Sequence, residues 1–187
     1  MFDKPRGRFI LLDPERKVRT EIETAEVARF MSELEQYAST HGTAFVKGML
    51  DPKFEADVND ATGELVLVGA SLTYRLETIK PPVPEAAQQY REFSDWYARL
   101  NAMTTPGAIP PFARLAVNDE LARRGLIPER VQLTIPPQVS TVGRGVTLRS
   151  EHHVSWRLLP KDFDEIAVTA QQLVTFQKVS FAEYKAK

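Results

Sequence analysis

The chain has 187 residues, 43% of them hydrophobic and 26% charged, with a formal net charge of -1. This length supports one well-cored domain, or at most a domain with a subdomain, and the composition is typical of a globular protein rather than of a disordered chain. The near-neutral charge argues against a nucleic-acid-binding protein, which needs a basic excess, and the lack of cysteine excludes disulfides and thiolate metal sites.

The first predicted elements are a β-hairpin and a long helix. Residues 9–12 form a short apolar run, Asp13-Pro14 signals a turn, and residues 18–22 alternate between apolar and polar as in a half-buried strand. Thr24 is expected to cap the helix, and Gly42 is expected to end it in the left-handed conformation. The apolar residues of this helix recur at helical spacing, namely Val27, Phe30, Met31, Leu34 and Ala38.

Three further strands are predicted before the middle of the chain. The first alternates over residues 53–58 and ends in a turn at 59–63. The second, 65–68, is apolar on both faces, which favours a central position in the sheet. The third carries Leu72, Tyr74 and Leu76 on one face, and the proline run 81–84 ends it, because proline cannot donate to a strand ladder.

A helical pair is predicted over residues 84–125, with proline at the start of each helix and Gly125 at the end of the second. The first helix is rich in aromatic residues, which indicate core packing, a partner-binding face or a ligand-lining wall. Its aromatic face comprises Tyr90, Phe93 and Tyr97 with Leu100, and Trp96 lies beside it. The inner surface expected for the second helix consists of Phe112, Leu115, Ala122 and Leu126, and its solvated surface of Asp119, Glu120, Arg123 and Arg124.

Strands return after Pro128. A strand over 131–135 is followed by a loop at 136–145 and then by a long alternating strand, 148–158. One face of that strand carries Leu148, Ser150, His152, Val154, Trp156 and Leu158. A helix capped by Asp162 and a short turn with Ser180 and Glu183 as a capping box complete the chain. About seven strands, mostly connected as hairpins, predict a single α+β domain over residues 1–187, built on an antiparallel sheet.

His152 and His153 are the first candidates for metal or acid–base chemistry. Adjacent strand residues point to opposite faces, so the two histidines are not expected to bind one ion. His152 is expected to be a partly buried, hydrogen-bonded histidine, and the alternative is that it lines a polar spot in a cavity with Ser150. Catalysis by Ser150 and His152 would need a carboxylate converging on His152.

The remaining charged patterns favour structural roles. Asp95 with Arg99, and Asp119 with Arg123, have the i,i+4 spacing of helical ion pairs. No glycine-rich phosphate loop, nucleophile elbow or zinc-binding helix motif occurs in the sequence. The sequence therefore predicts no catalytic residue, no metal site and no cofactor.

The segment from Phe9 to Pro14, followed by a second strand, resembles a segment of bacterial outer-membrane lipoprotein-carrier proteins of the LolA type. The later order of helix, amphipathic strands, covering helices and late strands is also similar, over about half of the chain. This resemblance implies a curved antiparallel sheet, half-barrel in form, with helices on one face covering an apolar cavity for acyl chains. It also implies a non-enzymatic protein of the periplasm. The sequence departs from the family by lacking an export signal, the N-terminal helix and the opening strands, and by its large helical pair.

The leading prediction is a non-enzymatic binding protein for a hydrophobic or lipid-like ligand, or for a lipidated protein. The candidate cavity lining consists of Leu72, Tyr74, Leu76, Trp96, Leu148, His152, Val154 and Trp156. The alternative is an interaction or scaffold domain that uses the helical pair 84–125. No run of about 18 apolar residues predicts a transmembrane helix. As written, the sequence predicts a cytoplasmic protein, whereas a natural start upstream of the given one would favour the cell envelope or periplasm.

Overall fold

The computed structural model describes residues 1–137 and 143–186. Within these residues there are nine strands and six α-helices, an α+β fold. The strands are β1 (Phe2–Asp3), β2 (Arg8–Asp13), β3 (Val18–Glu23), β4 (Glu55–Asn59), β5 (Glu64–Val68), β6 (Thr73–Ile79), β7 (Ile127–Ile135), β8 (Val146–Glu151) and β9 (Gln177–Lys178). The helices are α1 (Thr24–His41), α2 (Ala44–Leu50), α3 (Glu85–Thr104), α4 (Phe112–Arg124), α5 (Pro160–Thr175) and α6 (Phe181–Lys185).

The chain divides into two compact units, and the boundary falls within α1. Unit 1 comprises Met1–Phe30 and Ser155–Lys187, and unit 2 comprises Met31–Val154. Each unit contains one sheet: β1-β2-β3-β9 in unit 1 and β4-β5-β6-β7-β8 in unit 2. The expected single sheet of about seven strands is thus wrong, although the α+β class and the antiparallel pairing are confirmed. Neither sheet closes into a barrel within the described residues. The expectation of a single domain over residues 1–187 stays a prediction.

Unit 1 contains the predicted hairpin of β2 and β3. The turn forms because the Asp13 carboxylate accepts a hydrogen bond from the Arg16 backbone N–H at 3.0 Å, and Lys17 takes a left-handed conformation with φ 53°. β9 runs parallel to β3. Its Lys178 ammonium donates to the Glu21 carboxylate at 2.9 Å, which ties the late strand to the hairpin.

The two C-terminal helices of unit 1, α5 and α6, differ in how closely their N-terminal caps match the caps predicted from the sequence. α6 has the predicted capping box, since Ser180 Oγ accepts from the Glu183 N–H at 3.2 Å and the Glu183 carboxylate accepts from the Ser180 N–H at 2.8 Å. α5 begins two residues before Asp162, whose carboxylate accepts from the Leu159 N–H at 2.7 Å. The large apolar side chains of α5 are exposed, for example Phe163 and Ile166.

The sheet of unit 2 has one buried face and one solvated face. In β6, Tyr74, Leu76 and Thr78 are buried, whereas Arg75 and Glu77 between them are exposed. This period-2 pattern is the one expected of an antiparallel sheet covered on one side. The helices α2 and α4 cover the buried face. Its core is formed by Met49, Leu65, Leu67, Leu72, Tyr74, Leu76, Ala113, Val117, Leu121, Val131, Leu133 and Ile135.

α4 turns a different face to the core from the one expected. Ala113, Val117 and Leu121 are buried, whereas Phe112 and Leu115 are only partly buried. Small residues allow a helix to approach a sheet closely, so the face with the smaller side chains packs inward. Gly125 ends the helix in the left-handed conformation, as expected, with φ 66°.

α2, which follows directly after α1, is the main element that the sequence pattern did not predict. α2 begins at Ala44, after Thr43, whose hydroxyl accepts from the Val46 N–H at 3.3 Å as an N-cap. Gly42 does not take the expected left-handed conformation. A side chain there would instead collide with the Ala38 carbonyl oxygen, so glycine is needed for close approach.

β8 is shorter than the predicted strand 148–158. It pairs with β7 from Val146 to Glu151, and one further hydrogen bond joins His152 N–H to the Glu129 carbonyl oxygen at 2.8 Å. Beyond this bond β8 would face Pro128, the residue before Glu129 in β7, and proline has no N–H to continue the ladder. Among the described residues, none of the helices has both the length and the apolar character needed to span a membrane.

Candidate functional site

A cavity of about 370 Å³ lies within unit 2 between the helical pair and the sheet. Its walls come from α3, from the segment preceding α4 and the first turn of α4, and from β6, β7 and the end of β8. Most of the lining side chains are aromatic or aliphatic. The lining residues are Tyr74, Tyr90, Phe93, Ser94, Tyr97, Ala98, Asn101, Ile109, Pro110, Pro111, Arg114, Leu133, Ser150 and His152.

The aromatic face of α3 forms one wall rather than filling the core. Phe93 and Tyr97 are 62% and 63% exposed, and their rings stack with centroids 6.1 Å apart. The helix instead buries Ala87, Ser94 and Asp95. Core packing is therefore wrong for Phe93 and Tyr97, whereas a lining wall and a partner-binding face both agree with their position.

A second depression, about 450 Å³ in volume, is a weaker candidate. All of its lining residues belong to α3, and most of them are polar or charged, including Arg91, Asp95 and Arg99. A ligand site normally has walls from several elements and buries most of the ligand surface. The cavity beneath Phe93 and Tyr97 meets that condition better.

A chain of hydrogen bonds connects the polar groups of the cavity. Arg114 Nη2 donates to the Tyr90 hydroxyl oxygen at 2.9 Å, and that hydroxyl lies 3.5 Å from His152 Nδ1. Ser150 Oγ lies 3.2 Å from His152 Nε2. Because the Tyr90 oxygen accepts from Arg114, the Tyr90 hydroxyl can donate to His152 Nδ1 in the tautomer that carries its proton on Nε2, and Nε2 can then donate to Ser150 Oγ.

The series of hydrogen bonds continues from Arg114 into the interface of α3 and α4. Arg114 Nε donates to Asn118 Oδ1 at 2.9 Å, and Asn118 Nδ2 donates to Asp95 Oδ1 at 2.8 Å. Asn118 is fully buried, so both ends of its amide are satisfied without water. Asp95 also lies 3.8 Å from the guanidinium groups of Arg91 and Arg99, which confirms the predicted pairing of Asp95 with Arg99. The predicted pair of Asp119 with Arg123 forms at 3.1 Å.

The environment of His152 favours its neutral form. Burial lowers the pKa of His152, and the positive charge of Arg114 lowers it further. Burial also raises the pKa of Tyr74 in the same cavity, and Arg114 partly opposes this rise. The cavity is therefore an apolar environment with a fixed positive charge.

We expect NMR titration of the His152 ring to give a pKa below the usual value of about 6.5. The other titratable groups that line the cavity are Tyr74, Tyr90, Tyr97 and Arg114. Arg114→Gln is expected to raise this pKa only part of the way, because burial remains. The unfolded chain then binds the proton more readily than the folded one, so His152 makes the free energy of unfolding fall as the pH drops below about 6.5. His152→Gln removes this component, and a measured pKa of His152 at or above the usual value would contradict the assignment.

Only two of the eight predicted lining residues lie at the cavity. Tyr74 and His152 line the cavity. Leu72 and Leu76 lie in the closed core, at 3% and 0% exposure, because α2 and α4 cover that part of the sheet. Trp96 lies on the other side of α3, where its ring contacts the Arg99 guanidinium at 5.3 Å.

The other three predicted lining residues, Leu148, Val154 and Trp156, do not line the cavity. Leu148 pairs with Leu133 on the cavity side of the sheet, but it lies near the sheet edge, is 47% exposed and is not a lining residue. Val154 and Trp156 lie beyond the end of the strand, at 37% and 45% exposure, and Trp156 belongs to unit 1.

Sequence reasoning missed Arg114, the central polar residue of the cavity. The signal available was its i,i+4 spacing to Asn118, a pairing that is common on helices. The carboxylate that a Ser150–His152 catalytic arrangement would need does not converge on His152 among the described residues, since both ring nitrogens face Ser150 and Tyr90. In the part of the chain that the structure describes, no cluster of His, Asp and Glu is suited to a metal ion.

Comparison of the chain with protein-family models, with curated proteins and with solved structures finds no match.

Proposed function

We propose that this protein is a non-enzymatic binding protein for a hydrophobic or lipid-like ligand, which it holds in the cavity of unit 2. The observation that supports the proposal is the cavity itself. About 370 Å³ is open between α3 and the sheet, in a pocket that is partly open to solvent on the side where Phe93 and Tyr97 are exposed. This volume lies within the range of about 300–1,000 Å³ that is usual for small-molecule sites.

The resemblance to lipoprotein carriers agrees with this proposal. Members of that family hold acyl chains beneath helices that cover an antiparallel sheet, and they act in the periplasm. On this basis the cargo of the protein is a free lipid or a lipidated protein. The hairpin of β2 and β3 carries the resembling segment, with its Asp13-Pro14 turn.

Ala98→Phe is expected to weaken the binding of a fluorescent fatty-acyl probe by about tenfold or more, because the added ring fills the cavity. Ala98 lines the cavity on α3. Ala25→Phe, on the exposed surface of α1, is the matched control and should bind the probe as the wild type does. Native mass spectrometry and lipid extraction of the purified wild type test for a co-purifying ligand. No co-purifying lipid together with no probe binding by the wild type would overturn the proposal.

The alternative function, a protein-interaction domain that uses the helical pair, is favoured by one observation. Phe93 and Tyr97 present two stacked rings that are each more than 60% exposed. If this surface binds a second chain, light scattering will show an oligomer that Phe93→Asp dissociates. A monomer at all concentrations, with retained probe binding, favours the ligand cavity instead.

A further inference from the structure

Arg114 is the one permanently charged residue that lines the cavity. Among the described residues, the lining contains no Asp, Glu or Lys. Arg114 makes no ion pair with a described acidic side chain, and both of its hydrogen bonds go to neutral acceptors, Asn118 and the Tyr90 hydroxyl. Charged groups within a protein are normally paired, because desolvation disfavours an isolated charge.

The acid nearest to Arg114 along the hydrogen-bond chain does not neutralise it directly. Asp95 is reached only through the Asn118 amide, and it already faces Arg91 and Arg99. A guanidinium has five N–H donors, of which Arg114 uses two. Donors therefore remain for a ligand, and the planar guanidinium suits a carboxylate or phosphate.

The neighbours of Arg114 add further polar groups. The Tyr90 hydroxyl, His152 and Ser150 form one continuous hydrogen-bonded group with it. The remaining lining is mostly hydrocarbon and includes Ile109, Leu133 and Phe93. The cavity thus combines a mostly apolar lining with one connected cluster of hydrogen-bonding groups that contains a positive charge.

We infer that the cavity selects amphiphiles with an anionic head group, a carboxylate or phosphate, which binds Arg114 while the alkyl chain contacts the apolar lining. This inference rests on the proposed ligand-binding function and specifies its ligand class. Tyr90 holds Arg114 in position and can donate to the same head group if its contact with His152 is given up.

The test compares four single-chain ligands that differ in the head group: decanoate, decyl phosphate, decanol and decyltrimethylammonium. Isothermal titration calorimetry is performed with each below its micelle-forming concentration. We expect decanoate, decyl phosphate or both to bind wild-type protein at least about tenfold more tightly than decanol, and the ammonium ligand to bind more weakly than decanol. The ratio of the two anionic affinities distinguishes a fatty-acid carboxylate from a phosphate head group.

Arg114→Gln is expected to remove the preference for the anionic ligands and to change the affinity for decanol by less than about threefold. Arg114→Lys, which keeps the charge but loses the planar donor group, should retain part of the preference. Arg75→Gln on the exposed face of β6, outside the cavity, is the matched control and should retain all of it. Circular dichroism checks that each variant is folded.

Two outcomes separate this inference from the proposed function. If wild-type protein binds decanol as tightly as decanoate and decyl phosphate, or if folded Arg114→Gln keeps the full preference, the inference is wrong and the ligand cavity stands. If none of the four ligands binds, the inference is wrong, and the proposed cavity function fails with it only if the wild type also binds no fatty-acyl probe and co-purifies with no lipid.

Discussion

Replacement of Leu76 by alanine is expected to lower the free energy of unfolding by about 3 kcal/mol. Leu76 is fully buried at the centre of the unit 2 sheet, where it lies opposite Leu65 of β5 and Val131 of β7. Alanine removes the buried methyl groups and leaves a cavity that strands paired on both sides cannot easily fill. Urea unfolding followed by circular dichroism measures the loss.

Leu148→Ala is the matched control for Leu76→Ala. It makes the same chemical change in the same sheet, but Leu148 is 47% exposed on the edge strand β8. We expect this variant to lose less than about 1 kcal/mol. Equal losses for the two variants would show that the assigned core of unit 2 is wrong.

Asn118→Leu is expected to lower the free energy of unfolding by about 2–4 kcal/mol. Leucine is similar in size to asparagine but removes the donor to Asp95 and the acceptor for Arg114 at a fully buried position. Asp95, itself only 9% exposed, then keeps only the more distant guanidinium groups of Arg91 and Arg99. The same change removes the acceptor that holds the Arg114 guanidinium in position, so we also expect weaker binding of decanoate.

A double-mutant cycle identifies the cause of the Asn118→Leu effect. Asp95→Leu combined with Asn118→Leu should cost less than the sum of the two single changes, because the buried carboxylate is gone when its donor is removed. Asn101→Ala is the control, since Asn101 is exposed and its side chain accepts from the Thr105 hydroxyl. Additive losses, or a loss for Asn118→Leu no larger than for Asn101→Ala, would contradict the structural role of Asn118.

The period-2 pattern of the sequence located the strands of unit 2 well, because it reports which side chains face the core. Tyr74 and Leu76 are buried as the alternation of β6 indicates, whereas β5 is apolar on both faces and the pattern did not show that Leu65 and Leu67 are buried while Val68 is exposed. The pattern did not show where a strand ends, since β8 stops opposite the segment that contains Pro128 while the alternation continues to Leu158. It also did not divide the strands between two sheets, because strand pairing is a long-range property.

The candidate site was less predictable than the fold. Tyr74 and His152 were identified because they lie on amphipathic strands whose inward face is evident. Arg114 was not identified, because its importance arises from the approach of Tyr90 on α3 and of His152 after β8, which lie far apart in the sequence. For α4, side-chain size suggested Phe112 and Leu115 as inner residues, whereas close packing placed Ala113 and Val117 there.

The strand order of the unit 2 sheet follows the chain order from β4 to β8, so α3 and α4 form an excursion between the neighbouring strands β6 and β7. The entropy of closing a loop rises only with the logarithm of its length, by about 0.6 kcal/mol for each doubling. α4 is not free to change in this way, because it contributes Ala113, Val117 and Leu121 to the core of unit 2. The connection between α3 and α4, residues 105–111, carries no such core residue, so its length can change with little effect on the pairing of β6 with β7 while the cavity wall formed by Ile109, Pro110 and Pro111 changes with it.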